Sequence, residues 1–91
     1  MDKFEHKVFG SFEIELPLKQ RHLEAFFDYL VEHETKGRSN VYGDRVLVEA
    51  AIKAEILKQQ IDLLDSDPAL VYWLASEVVK ITAKAREIPK N

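Results

Sequence analysis

The apolar residues of this chain change period once, and that change constrains most of what it can fold into. Up to Leu16 they alternate: Phe4, His6 and Val8 fall on one side, as do Phe12, Ile14 and Leu16, about a turn at Gly10-Ser11. Period two marks a half-buried strand, because successive side chains point to opposite faces. Residues 3–16 are therefore expected to form a β-hairpin. From Leu18 onward the spacing becomes three and four, which marks helices that bury one face. The fold class expected is α+β, mostly helical: an N-terminal β-hairpin followed by three α-helices. The whole chain, 91 residues long, is short enough to read as one domain, residues 1–91.

Register within the hairpin can be argued from its pattern. A two-residue turn at Gly10-Ser11 pairs Phe9 with Phe12 and sets Val8 against Glu13. A three-residue loop pairs Val8 with Phe12, His6 with Ile14 and Phe4 with Leu16, and places Lys7 opposite Glu13 on the other face. The second register keeps one face apolar and is preferred. That face needs a cover, because a lone hairpin is marginal in water.

The first helix is expected over 18–34, opened by Pro17 or Leu18, with Leu23, Phe26, Phe27 and Leu30 on one face. Thr35 to Gly43 reads as a loop punctuated by Gly37, Ser39, Asn40 and Gly43. The second helix is expected over 44–60, with Asp44 as N-cap. Its stripe of Leu47, Ala50, Ala51, Ala54 and Leu57 is widened by Val48, Ile52 and Ile56, and Glu49 and Lys53 are spaced for an ion pair. The third is expected over 68–87. Asp67 caps it, Pro68 takes the first helical position, and Pro89 ends it. Leu70, Val71, Leu74, Val78, Ile81 and Ala85 form its core stripe.

Composition narrows the chemistry. There are no cysteines, which excludes disulfides and thiolate metal sites and fits a reducing compartment. The first twenty residues hold no continuous apolar stretch, so no secretory signal is expected. The longest apolar run, around Leu70 to Ala75, falls far short of the ~20 residues that span a bilayer. A soluble, cytoplasmic protein with no membrane partner is the expectation. The net charge of −3 argues against nucleic acid, whose binding draws on neutralised phosphates. His6, His22 and His33 lack zinc-motif spacing; His6 reads as a satisfied half-buried side chain, and His22 and His33 as solvated positions. No serine has a nucleophile-elbow context, and three isolated glycines build no phosphate loop. Asp62, Asp65 and Asp67 lack the glycine and closing glutamate of a calcium loop. No catalytic residue, metal or cofactor is expected, and the chain does not read as an enzyme.

Two surfaces are candidates for binding another protein. Glu24, Asp28 and Glu32 form an acidic ridge on the first helix, either a solvated face or a strip that meets a basic partner. On the last helix, Tyr72 continues to Ser76, Val79 and Ala83, a second apolar face beside the core stripe, and Trp73 flanks the stripe from the other side. Trp73 and Tyr72 either pack inside the domain or anchor a partner, as exposed aromatics often do. The partner-binding candidates are thus Tyr72, Trp73, Val79, Glu24, Asp28 and Glu32.

The run Phe12-Glu13-Ile14-Glu15-Leu16-Pro17-Leu18-Lys19-Gln20 is followed by a helix with paired aromatics. Then come Val48-Glu49-Ala50-Ala51-Ile52-Lys53-Ala54, Asp67-Pro68-Ala69-Leu70-Val71-Tyr72-Trp73-Leu74 and, near the end, Ile88-Pro89. Together these resemble the tail assembly chaperones of long-tailed bacteriophages and prophages. The resemblance covers nearly the whole chain without a diagnostic motif. It implies a non-catalytic viral protein of the host cytoplasm that binds the tape-measure protein, keeps that long helical chain soluble and helps bring tail-tube subunits to it. It also implies a second, longer form made by ribosomal frameshifting. It carries over no residue set. Two other classes stand beside it: a structural component of the particle, such as a connector or tail subunit forming a homo-oligomer, and a small transcriptional regulator. The regulator is disfavoured because Lys80, Lys84 and Arg86 lie at the wrong end of the last helix for base contacts.

Overall fold

A computed structural model describes residues 2–88. The elements follow the expected order: strands β1 (Asp2–His6) and β2 (Gly10–Ile14), helices α1 (Gln20–Glu32) and α2 (Asn40–Lys53), a single 3-10 turn at Leu63–Asp65, and helix α3 (Pro68–Ala85). The class is α+β and mostly helical. The expected stop at Pro89 lies outside the described residues.

The hairpin's register differs from both expected ones. Phe4 pairs with Phe12, Asp2 with Ile14 and His6 with Gly10, so the loop is Lys7-Val8-Phe9. Two local features close the chain two residues earlier than in the preferred register. Gly10 adopts a φ of +89°, a conformation glycine alone takes without steric cost. The His6 imidazole Nδ1 accepts the backbone N–H of Val8 at 3.0 Å. The shift is an even number of residues, so the even positions keep their common face: Phe4 and Ile14 are buried. Val8, expected on that face, is instead exposed at the turn.

Each of the first two helices is shorter than expected. α1 begins at Gln20, and its start is fixed by His22, whose Nδ1 accepts the Lys19 N–H at 2.9 Å. His22 is therefore buried, not solvated as expected. His33 is half-buried: it stacks on Tyr29 with ring centroids 3.9 Å apart. α2 begins four residues before Asp44, because Ser39 Oγ accepts the Tyr42 N–H at 3.2 Å. Gly43, which reads as loop, lies in its first turn and donates to Ser39 O.

α2 ends at Lys53, well short of residue 60. Glu55 takes a φ of +63°. The Glu55 N–H donates to Ile52 O at 3.1 Å and the Ile56 N–H to Ala51 O at 2.9 Å, the paired bonds of a Schellman termination. Ile56 and Leu57 are buried as expected, but through an extended segment that adds to the hairpin. Glu15 N–H donates to Ile56 O at 2.8 Å and Lys58 N–H to Glu13 O at 2.9 Å. The Gln59 side chain continues the ladder, accepting Glu13 N–H at 2.7 Å and donating to Ser11 O at 3.2 Å. β2 is thus flanked on both sides, and Lys58 Nζ reaches Glu15 at 2.9 Å. Glu49 pairs with Arg45 at 2.8 Å, not with Lys53.

α2 packs against both α1 and α3. Val46, Val48, Ala50 and Ala51 are fully buried along it, and the two alanines let neighbouring backbones come close. Phe26 from α1 and Leu74, Ala75 and Val78 from α3 complete the core. The hairpin lies over the Trp73 side of α3.

Candidate docking groove

The early start of α2 and the 3-10 turn before α3 create an open concavity. Its first wall is the stretch Arg38 to Arg45, where capping by Ser39 turns what reads as a loop into helix. The Tyr42 ring braces this wall: the guanidinium of Arg38 lies 3.7 Å from its centroid and that of Arg45 lies 5.1 Å away, attractive distances for a cation over an aromatic face. The opposite wall runs from Leu63 to Pro68. Ser66 Oγ donates to Asp62 O at 2.7 Å, and Asp67 Oδ1 accepts Ala69 N–H at 2.9 Å, so the turn and the start of α3 are pinned together.

Between these walls is an open groove of about 1020 Å³. Leu30, Leu47, Leu63 and Val71 line it from α1, α2, the turn and α3. Each of them packs in or against the core, so the floor is the core's own surface left uncovered. Along the groove, Val41, Leu64 and Tyr72 are 68, 77 and 64 % exposed. Large apolar side chains clustered around one concavity mark a binding surface more than scattered ones do.

One ionisable group in the lining stands apart. Burial raises the Asp44 carboxyl above its ordinary range, and no cation among the described residues lies within ion-pair distance of it. Nearby, Tyr29 is raised by burial and by the facing Glu49 carboxylate. Among the described residues, no three of His, Asp and Glu are grouped to hold a metal ion. The groove offers apolar area, a single carboxylate, Asp44, and the two arginines that flank the Tyr42 ring.

The six residues singled out from the sequence go to three places. Tyr72 lines the groove. Val79 lies two turns further along the same outer face of α3, 47 % exposed. Trp73 is half-buried beneath the hairpin, with ring centroids 4.9 Å from His6, 6.0 Å from Phe12, 6.2 Å from Phe4 and 6.4 Å from Phe9. Of the two readings open for Trp73, packing inside the domain is the one observed. Glu24, Asp28 and Glu32 are exposed along α1, where Glu24 accepts a bond from Gln20 at 3.2 Å; none of the three lines the groove. Val41, Leu64 and Asp44 escaped sequence reasoning, although a lone Leu64 beside Asp62 and Asp65 is an apolar residue that no helical stripe explains.

No helix of the described residues is long and apolar enough to cross a membrane. No family model, curated protein or solved structure matches this chain.

Proposed function

We propose that this chain is a non-catalytic protein-binding module that captures an amphipathic helical segment of a partner protein in the groove between α2 and α3. The observation that carries the reading is the core floor left open beneath three exposed apolar side chains, Val41, Leu64 and Tyr72. A helix laid along such a slot buries its apolar face at i, i+3, i+4 and i+7. The Asp44 carboxylate favours a partner that brings a lysine or arginine to it, because a partly buried charge without a counter-ion is costly. In its specific form, supported by the sequence resemblance, the module is a phage tail assembly chaperone and the captured segment belongs to the tape-measure protein. Shielding such segments would keep a long helical chain soluble until tail-tube subunits reach it.

The test is selection of helical peptides from a displayed random library on the intact chain. Peptides with an apolar stripe and one basic residue are expected, with binding lost in Tyr72→Ala and Leu64→Ser while helical circular dichroism stays unchanged. Selected peptides indifferent to both substitutions would overturn the groove reading. For the chaperone form, co-expression with a tape-measure protein is expected to keep that protein soluble, and aggregation despite co-expression would count against it.

A further inference from the structure

We propose that the outer face of α3 is a self-association surface, on which a second copy of this chain lays its own α3 antiparallel about a two-fold axis near Ser76. Tyr72 and Val79 are large apolar side chains left exposed on this face, 64 and 47 %, while Val71, Leu74, Ala75 and Val78 are buried in the core. With Ala69, Ser76 and Ala83 they succeed one another at spacings of three and four, which makes one continuous stripe along the helix.

The ends of that stripe carry opposite charge. Asp65 and Asp67 stand at its start, and Lys80, Lys84 and Arg86 outnumber the one acid, Glu87, at its finish, so the start is acidic and the finish net basic. An antiparallel pair with its axis level with the Ala75–Ser76 step sets Tyr72 against Val79, Asp67 against Lys84 and Asp65 against Arg86. A parallel pair would bring acid to acid and base to base. The face is thus complementary to itself in one orientation, the requirement for a closed two-fold dimer, and antiparallel helix dipoles favour the same choice. Within one copy Lys80 reaches Glu77 only at 3.8 Å, and Arg86 lies 5.8 Å from the Phe27 ring. Lys84 makes no ion pair among the described residues. Exposed Leu64 and Ile88 extend the apolar area past the two ends. An eighteen-residue helix is about 27 Å long. Contact along one such face gives a small interface, of the size class that associates weakly and transiently.

Tyr72 belongs to this face and to the groove, so self-association and partner capture compete. Self-association is measured on the chain alone, so its failure would leave the groove reading standing. Analytical ultracentrifugation from about 10 μM to about 1 mM covers the range in which such an interface forms, and a monomer–dimer equilibrium is expected. Tyr72→Asp combined with Val79→Asp is expected to abolish the dimer with helical circular dichroism retained. Arg86→Asp is expected to weaken it about tenfold, and adding Asp65→Lys to restore it. The chain has no cysteine, so Ser76→Cys introduces a single thiol, expected to oxidise to a disulfide dimer much faster than Lys36→Cys on the exposed loop. A chain monomeric throughout the range would overturn the proposal, as would equal oxidation of the two cysteine variants, an arm that stands even where the double aspartate variant fails to fold.

Discussion

Replacing Trp73 with alanine removes the residue on which the hairpin rests. Four rings, Phe4, His6, Phe9 and Phe12, surround it with centroids 4.9–6.4 Å away. Truncating a large buried aromatic costs about 3–5 kcal/mol, and Trp73 is half-buried, so a loss of about 2–3 kcal/mol is expected. In a domain of this size that corresponds to a fall in Tm of roughly 10–20 °C. The loss should be uneven. β2 is held independently by the bonds from Glu15 to Ile56, Lys58 to Glu13 and Glu13 to Gln59, whereas β1 is held by β2, by buried Phe4 and by the aromatic cluster around Trp73. Urea denaturation followed by circular dichroism gives the stability, and amide hydrogen exchange gives its distribution, with β1 amides expected to lose more protection than those of β2. Trp73→Phe should recover part of both. A stability loss under about 0.5 kcal/mol, with β1 protection unchanged, would refute the reasoning and return Trp73 to the set of partner anchors.

Glu55→Gly should stabilise the protein by about 1 kcal/mol in urea denaturation, since Glu55 holds a left-handed φ of +63° that costs a residue with a side chain about 1–2 kcal/mol. Gln59→Ala removes both side-chain bonds to β2 and should cost about 1 kcal/mol, with faster exchange at the Glu13 amide as its local signature. The Lys58 ammonium, bonded to Glu15, holds that carboxyl below its ordinary value of 4.5. The pair's contribution is therefore present above pH 4.5 and lost as pH falls through the lower folded value. A stability–pH profile of Lys58→Met should lack that acid-side loss, and an unaltered profile would mean the pair is too solvated to matter.

Much of the fold was legible because its strongest signals are local. Asp67-Pro68 marks the start of α3 by capping and by proline's fixed φ, and the α3 core stripe needs no tertiary information. The hairpin's existence and its apolar face follow from period two. Its register did not, because the choice lay with an imidazole bonding across its own turn and with which residue takes the left-handed conformation. The end of α2 was hidden for a similar reason: Glu55 occupies a position where glycine is the usual signal, and Ile56 and Leu57 satisfy a helical stripe and a buried strand equally well. The groove was half visible. Tyr72 stands out from the α3 core stripe, but Val41 and Leu64 lie in segments that Gly43, Ser39 and the aspartates make read as loop, and only the packing of α2 between α1 and α3 brings them to one concavity.

The groove as docking site is tested most directly by nuclear magnetic resonance. A selected amphipathic helical peptide is titrated into the labelled chain and the backbone amide shifts are mapped. Changes concentrated at Val41, Asp44, Leu47, Leu64, Val71 and Tyr72, with the acidic ridge of Glu24, Asp28 and Glu32 unmoved, are the predicted result. Changes centred on that ridge or on the hairpin, with the groove amides silent, would contradict it.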